Sequence, residues 1–325
     1  MSLYSFKEWV FIFCIYSVIG FIWETIYCSI VERRLVNRGF MKGPFLPIYG
    51  SGVCTMLVAS APFRDHIVIA CLSGMICATV LEYVTGDLME HLFKVRYWDY
   101  STEKFNLNGY ICLGASLAWF VATFIVNKVL QKPVDSLLNA MNDTTLIVVD
   151  SVVMGIAVID FGISFKAAMD LRSVLVKIDA AKHEMKLMQK RLDVIIAVIS
   201  EEAGDRYEKF TDSVSEKYGE LANGISGRFG NFGDGVKKRL EYVVENVKGP
   251  GDKIMPDSGK KVIDELSGMK DRYAQTIGNY TSSLHPTRKI KEFFIRSIIR
   301  SNPSITSDKY AEALEELKKE SESKT

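Results

Sequence analysis

The feature that most limits how this chain can fold is a series of long apolar runs, nearly all of them before residue 170. The first run, Trp9–Val31, supplies the roughly 20 apolar residues that a helix needs to cross a bilayer. A basic flank follows it and no small-residue cleavage site is present, so we expect a retained span rather than a signal peptide. The chain is therefore predicted to be an integral membrane protein.

Five runs are candidates for membrane spans, and most of the charges follow them. This uneven distribution is hidden in the averages, a net charge of +1 and 48% hydrophobic residues. It predicts an all-α fold: a polytopic membrane helical bundle of about five spans in residues 1–170, followed by a helical, partly coiled-coil tail in residues 171–325. The five runs are Trp9–Val31, Ile48–Phe63, Ile67–Phe93, Tyr110–Leu130 and Leu146–Met169.

The tail carries helical patterns of two kinds. Between Leu171 and Ile199 apolar residues recur at alternating spacings of three and four, which predicts a coiled coil or bundle helix. These heptads, over 171–200, could associate with a second copy or another protein. A further apolar stripe covers 207–221. The segment "RKIKEFFIRSIIR" (288–300) is basic and aromatic, which fits an amphipathic helix either on an anionic leaflet or packed against its neighbours in the tail.

Basic residues are concentrated in the first and third loops, which sets the expected orientation. By the positive-inside rule these loops and the tail lie in the cytoplasm, and the N-terminus lies outside a cell membrane. The lipid bilayer is then the first partner, and no nucleic-acid partner is expected. The basic residues of the two loops are Arg33, Arg34, Arg38 and Lys42 in the first, and Lys94, Arg96 and Lys104 in the third.

No motif of a familiar enzyme is present. The six cysteines lie in or beside apolar runs without CxxC or Cys/His spacing, so we expect buried reduced thiols, no metal and no cofactor. The nucleotide-binding pattern GxxxxGK[ST] is missing, and the "DSGKK" of residues 257–261 does not meet it. Neither HExxH nor GxSxG occurs. No catalytic residues are predicted.

Acidic residues inside apolar runs are candidates for a polar site. A charged side chain at mid-bilayer costs about 2.5–3.5 kcal/mol on insertion scales, so such residues usually face a protein interior. On the third run the acids share one broad helical face. The cations Arg33, Arg34, Arg38 and Lys42 of the first loop are available as partners. Alternatively, Asp87 and Glu90 lie at the interface in water and pair with basic loop residues. The acids are Glu24, Glu82, Asp87 and Glu90, and Asp150 and Asp160 interrupt the fifth run.

Two irregular loops are expected on the same face as these acids. The first, "NRGFMKGPFLPIYGSG" (37–52), holds prolines and glycines that prevent a regular helix. Because the run after it is short, part of 43–52, including Tyr49, is predicted to enter the membrane under a covering of protein. The third loop contributes Trp98, Asp99, Tyr100, Asn106 and Asn108. An aromatic belt with an Asn-Gly turn would explain these residues without any function.

Several stretches occur in the order found in a known family. "WET" at 23–25, "RGFMKGPFLPIYGSG", "YWDYS" and "NLNGYICL" resemble the bacterial membrane family of putative ABC-transporter type IV over roughly residues 5–165. Tyr110 stands where that pattern leads us to expect a basic residue. The resemblance implies transport, with ATP hydrolysis in a separate ATPase subunit, and it carries over no ligand or catalytic residues.

Three functions remain open on the sequence alone. The first is a transporter or permease-like component with a polar, inner-facing site formed by the two loops and the acids. The second is a membrane anchor or signalling scaffold that acts through the coiled-coil tail. The third is a membrane-embedded enzyme that acts on lipid, using the acids, aromatic rings and asparagines at the inner interface.

Overall fold

The computed structural model describes residues 4–203, 257–284 and 289–323, so the stripe predicted over 207–221 lies outside the described residues. Within those ranges every regular element is a helix, apart from two isolated β-bridges. The predicted all-α class is confirmed. The elements are α1 (Phe6–Glu32), α2 (Pro47–Ser60) with a 3-10 turn (Ala61–Phe63), α3 (Ile67–Phe93), α4 (Leu113–Ile125), a π-helical turn (Val126–Leu130), α5 (Gln131–Ala140), α6 (Asp143–Ala203), α7 (Asp257–Leu284), α8 (Lys289–Ser301) and α9 (Ala311–Ser323).

Four helical stretches are long and apolar enough to cross a membrane. They are Phe6–Glu32, Ile67–Phe93, Leu113–Ala140 and Asp143–Ile195, and they coincide with four of the five predicted spans. The predicted span Ile48–Phe63 corresponds to α2 and the turn after it. The expectation that 37–52 contains no regular helix was wrong for 47–52, because proline is tolerated at the first position of a helix and Pro47 begins α2. With 14 residues, α2 is about 21 Å long, well short of the roughly 30 Å hydrocarbon layer.

The two longest helices of the first half share their length and their manner of ending. Both α1 and α3 have 27 residues, and each stops at a basic residue in the left-handed region, Arg33 with φ 52° and Lys94 with φ 61°. The cationic side chains are favourable there, because the carboxyl end of a helix carries partial negative charge. At the start of α1, Ser5 and Glu8 form a reciprocal capping box.

The helices alternate in direction. At one end Lys7 of α1 pairs with Asp143 of α6 at 2.6 Å, so α1 and α6 begin together. At the opposite end the ring of Phe93, which closes α3, lies 5.3 Å from that of Phe165 in α6. Helices α1, α3 and α6 therefore run the same way, and α2 and α4 return between them. The irregular segments 33–46 and 94–112 lie at the second end, which we name the loop face.

Both returning helices begin deep within the bundle rather than at the loop face. The N–H of Leu46, just before α2, donates to the carbonyl of Ser17 at 3.0 Å, roughly 20 Å along α1 from its end. Near the start of α4, Ser116 accepts from the hydroxyl of Thr79 at 3.2 Å, again roughly 20 Å from the end of α3. Segments 33–46 and 94–112 consequently lie beside the apolar second halves of α1 and α3.

Small residues allow these helices to approach closely. A Cβ on Gly50 would lie 2.3 Å from Oγ of Ser17 and 2.4 Å from the carbonyl oxygen of Phe13. A Cβ on Gly74 would lie 2.5 Å from the side chain of Thr123. The α1–α2 and α3–α4 contacts therefore depend on glycine, as is common where helices pack in membranes.

The chain forms two compact units. Unit 1 contains Met1–Arg172 and Lys289–Leu314, and unit 2 contains Ser173–Arg288 and Glu315–Lys324. The predicted domain division near residue 170 stays a prediction, as does the assignment of all of 171–325 to the tail. The amphipathic helix predicted over 288–300 corresponds to α8, whose Ile295, Ile298 and Ile299 are buried. Within unit 1 it contacts Lys42 and Asp170, and the choice between a leaflet and packing in the tail stays a prediction.

In unit 2 the heptad positions are covered by residues of the same chain. Lys182 pairs with Glu316 at 3.0 Å, and Glu316 also accepts from the hydroxyl of Tyr280 at 2.7 Å. Self-association or a protein partner over 171–200 stays a prediction. The buried residues of the stripe include Val174, Ile178, Met185 and Leu192, and those of α7 include Leu266, Met269 and Tyr273.

Replacing Gly50 with alanine should loosen the α1–α2 contact. The new methyl group would overlap the backbone of α1, so we expect a loss of about 1–3 kcal/mol in the free energy of unfolding. Gly155→Ala is the matched control, because nothing lies within 4 Å of a Cβ there and alanine favours helix by about 1 kcal/mol. Thermal unfolding of the detergent-purified proteins measures both. Equal melting temperatures for the two variants would contradict the close approach.

Candidate functional site

Side chains from four helices and both loops meet in the middle of unit 1. We call this group the polar cluster. Glu24 lies about 12 Å along α1 from its end at the loop face, and Glu82 lies about 16 Å along α3 from its end, so both acids are deep within the apolar part of the bundle. The polar cluster comprises Glu24, Arg38, Tyr49, Glu82, Tyr100 and Trp119.

Glu24 is held by a cation and two further donors. Its Oε2 accepts from the hydroxyl of Tyr49 at 2.7 Å. Its Oε1 lies 3.6 Å from Nε of Arg38 and 3.7 Å from the thiol of Cys28. Arg38 reaches this position because segment 33–46 descends beside α1, where the N–H of Val36 donates to Ser29. The guanidinium compensates the charge of Glu24 at this depth.

Glu82 has a different environment, since both of its donors are neutral. The side chain is buried, with 6% exposed. Its Oε2 accepts from the indole N–H of Trp119 at 2.8 Å, and its Oε1 accepts from the hydroxyl of Tyr100 at 3.4 Å. Among the described residues no lysine, arginine or histidine pairs with it. The rings of Tyr49 and Trp119 lie 6.3 Å apart and connect the two halves of the cluster.

Sequence reasoning missed Trp119. It lies in an apolar run, where an aromatic residue gave no reason to expect a polar role. The signal was nevertheless present, because a buried tryptophan N–H usually finds an acceptor. Glu82, 37 residues away along the chain, is that acceptor.

A second group forms around Arg96, nearer the loop face. Its guanidinium lies 2.5 Å from Glu90, 3.7 Å from Asp99 and 2.7 Å from Asp308. Burial acts to lower the pKa of Arg96, but these three carboxylates outweigh it and raise the pKa. The guanidinium also lies 5.2 Å from the ring centroid of Tyr110, so a cation occupies the neighbourhood where the family pattern had led us to expect a basic residue.

Of these residues Glu90 and Asp99 were predicted site residues, whereas Arg96, Tyr110 and Asp308 were not. Glu90 also accepts from the hydroxyl of Tyr110 at 2.7 Å. Burial raises the pKa of Tyr110 to about 12, so this hydroxyl stays protonated as a donor. Glu90 forms an ion pair with a basic residue of the third loop, but only 20% of its side chain is exposed, so the alternative that places it in water stays a prediction.

The other predicted site residues lie apart from both groups. Lys42 places its ammonium 3.0 Å from the ring centroid of Phe294 in α8, and burial lowers the pKa of this lysine although the charge of Asp160 opposes the change. The side chain of Asp87 is 45% exposed and lies 3.3 Å from His91 in the same helix. Trp98 donates to the carbonyl of Tyr110, Asn106 donates to the carbonyls of Ser101 and Glu103, and Asn108 donates to the hydroxyl of Tyr83.

These contacts give Trp98, Asn106 and Asn108 a role in shaping the third loop. Asn108 has φ 53°, a left-handed conformation that asparagine tolerates better than most residues. The turn interpretation of this loop is therefore sufficient for the two asparagines.

A cavity of about 380 Å³ adjoins the first loop. The hydroxyl of Thr25 in its wall is buried and has no hydrogen-bond partner in the described part of the chain. Within residues 4–203, 257–284 and 289–323 no group of three His, Cys, Asp or Glu side chains is arranged to hold a metal ion. The cavity is lined by Phe21, Thr25, Leu35, Val36, Asn37, Lys42 and Pro44.

Comparison with known proteins confirms the resemblance expected from the motifs. Residues 11–165 match the family model described as "Putative ABC-transporter type IV". All members of the polar cluster fall inside the matched range. No solved structure matches the chain.

Asp99→Asn tests the electrostatics of the third loop. Burial would raise the pKa of Asp99, but the N–H of Ser101 at 2.9 Å, the charge of Arg96 and the hydroxyl of Thr306 hold it below its usual value. A lowered folded-state pKa means that the ionised form stabilises the fold above the unfolded pKa, near 3.9, and that this contribution is lost as the pH falls through the folded-state pKa.

We therefore expect Asp99→Asn to lower the free energy of unfolding by about 1 kcal/mol at neutral pH. The difference from the wild type should shrink as the pH falls below about 4. Melting temperatures measured across this pH range check the expectation, with the exposed Asp87→Asn as control. A difference that is independent of pH would show that the charge of Asp99 does not contribute.

Proposed function

We propose that this chain is a permease-like component of a membrane transport system and that the polar cluster binds a solute carrying a positive charge. The family description that matches residues 11–165 supports the transport assignment. In the ABC type of transport a separate subunit hydrolyses ATP. A separate ATPase subunit agrees with the sequence of this chain, which contains no GxxxxGK[ST] motif.

The observation that carries the proposal is the environment of Glu82. A carboxylate at mid-depth is expensive, and acids in such places commonly line the path of a solute or ion. Two neutral donors solvate Glu82, but neither cancels its charge. A cationic group of the solute, placed between Glu24 and Glu82 and against the rings of Tyr49 and Trp119, would supply the missing charge and a cation–π contact.

The arrangement of the helices gives independent support. The chain forms two similar sets in succession: α1, segment 33–46 and α2, then α3, segment 94–112 and α4. Both sets consist of a 27-residue helix, an irregular segment and a returning helix; α2 is short, whereas α4 continues through the π-helical turn into α5. Since α1 and α3 run the same way, the two sets form a parallel repeat. Transporters commonly bind solute near the bilayer midplane, at the interface of such repeats and beside interrupted helices. The polar cluster joins the two sets, since Glu24 and Tyr49 belong to the first and Glu82 and Trp119 to the second, which supports a solute site there.

The basic residues of the loop face favour a cytoplasmic location for it. Arg33 and Arg34 follow α1, and Lys94 and Arg96 follow α3. By the positive-inside rule the site would open towards the cytoplasm and the N-terminus would lie outside. The scaffold alternative receives less support, because the heptad positions of α6 that it needs are buried within the chain.

Glu82→Gln should weaken solute binding with little change in the fold. Glutamine keeps an acceptor for the N–H of Trp119 but removes the charge, so affinity for the cationic solute should fall roughly tenfold or more. The probes are guanidinium, choline, arginine and spermidine, and binding to the purified protein is measured by calorimetry and thermal shift. Glu24→Gln should weaken binding as well.

Asp87→Asn is the matched control, because this acid belongs to the same helix but is exposed. It should leave the affinity unchanged. If none of the four probes binds, or if Glu82→Gln binds them as tightly as the wild type, the cationic-solute proposal is wrong. For a probe that binds, uptake into liposomes that contain the chain together with its ATPase then tests transport itself.

A further inference from the structure

We propose that the chain's own segment 302–308 closes the loop face over the polar cluster, so that solute reaches the cluster only when this segment is released. We call the segment the C-terminal clasp. The inference rests on the proposed function, because it concerns access to the same cluster. It assigns a regulatory part to residues beyond the 11–165 range that matches the family model.

The clasp binds the third loop through its backbone. Arg96 and Thr306 form an isolated antiparallel bridge, with N–H to carbonyl distances of 2.8 and 3.0 Å in the two directions. The hydroxyl of Ser307 donates to the carbonyl of Lys94 at 2.6 Å. The clasp thus pairs with segment 94–112 as a short added strand would.

The clasp also binds the first loop. The side-chain amide of Asn302, which is buried, donates to the carbonyl of Gly39 at 3.2 Å. Arg38 donates to the hydroxyl of Ser304 at 3.0 Å and to the carbonyl of Tyr97 at 3.1 Å. A short segment that follows α8 therefore connects the two irregular loops, which reach each other directly through Arg38 and Phe40.

Arg38 links the clasp to the solute site. The same guanidinium lies 3.6 Å from Glu24 in the polar cluster and 3.0 Å from Ser304 in the clasp. A solute that approaches Glu24 from the loop face meets this arginine and the clasp before it meets the acid. Movement of the clasp consequently changes both the width of the entrance and the position of the charge that compensates Glu24.

The chemistry of the clasp suits reversible release. Its contacts are mostly hydrogen bonds and the ion pair of Asp308 with Arg96, in which Asp308 is 65% exposed. Water can replace such contacts at modest cost. Only one large apolar side chain of the clasp, Ile305, is fully buried. Helix α8 stays anchored on its own account, through Lys291 with Asp170 at 2.9 Å and through Phe294 under Lys42.

Access to the site can be measured with a native thiol. Cys28 lies beside Glu24, one turn nearer the loop face. The full-length protein is placed in nanodiscs and treated with a charged maleimide that does not enter lipid, and mass spectrometry follows the labelling rate of each cysteine. Cys71, 1% exposed in α3, is an internal control whose rate should not change.

Thr306→Pro removes the N–H that donates to Arg96 and should open the entrance. Loss of one such bond should raise the labelling rate of Cys28 by about fivefold. Asp308→Asn should raise it by a smaller factor, and Lys309→Gln, next to the clasp but outside its contacts with the loops, should leave it unchanged. Equal rates for Thr306→Pro and the wild type would count against the clasp.

A reversible disulfide between the clasp and the third loop, which we call the lock, provides a second test if Thr306→Pro fails to fold. The antiparallel pair Arg96 and Thr306 exchanges both hydrogen bonds, which places Cα atoms about 5.5 Å apart, within the range for a disulfide. In the double variant Arg96→Cys with Thr306→Cys, oxidation should protect Cys28 and reduction should restore labelling. Because Arg96 is missing in both states, the comparison isolates the lock. Identical labelling in the two states would overturn the inference.

These outcomes separate the clasp from the function of the site. Labelling of Cys28 requires no solute, so it responds to the clasp even if none of the cationic probes binds. If the probes bind in a manner that depends on Glu82 while the lock changes neither labelling nor affinity, the solute site stands and the clasp does not control it.

Discussion

A carboxylate at membrane depth needs donors from protein, and the arrangement of unit 1 follows from this requirement. Glu24 and Glu82 lie on the inner sides of α1 and α3, far from either end of the helices. Helices α2 and α4 supply the donors Tyr49 and Trp119. The irregular segments 33–46 and 94–112 descend to the same depth and supply Arg38 and Tyr100. The acids in turn are hydrogen-bond or ion-pair partners for side chains of these segments. The apolar helices cover the irregular backbone of the segments, which must be buried in protein within a membrane.

The same requirement explains why α2 and α4 do not extend to the loop face. Each helix begins where the descending segment ends, so loop rather than helix fills the space between that point and the loop face. Their amino ends carry partial positive charge, and α2 places Tyr49 on Glu24 while α4 places Trp119 on Glu82. The two halves of the repeat thus supply donors to their acids in the same way, but they differ in the charge beside the acid. Glu24 has a guanidinium beside it and Glu82 has not, so only one of the two acids has its charge balanced by the described residues.

Sequence patterns predicted the structural features that depend on the composition of long segments. The apolar runs located four helices that are long and apolar enough to cross a membrane, and the prolines and glycines of 37–52 located an irregular segment that ends at Leu46, before α2. The acids were recognised because charge is rare in such runs. Partners at a distance along the chain could not be deduced, since no local pattern links Glu82 to Trp119 or Arg96 to Asp308. The role predicted for Asn106 and Asn108 in a polar site stays a prediction, because in a sequence a polar side chain that shapes a turn resembles one that binds a ligand.

The position of Arg38 connects the two proposals in one equilibrium. While Arg38 lies beside Glu24, the charge of that acid is balanced and a cationic solute must compete with the guanidinium for it. A solute that succeeds leaves Arg38 with only Ser304 and the carbonyl of Tyr97 as partners. Binding and closure then act on the same side chain, and by linkage each must change the free energy of the other to the same extent. Among the described residues, the cation beside Glu24 thus also belongs to the proposed entrance, and this shared side chain couples solute binding to release of the clasp.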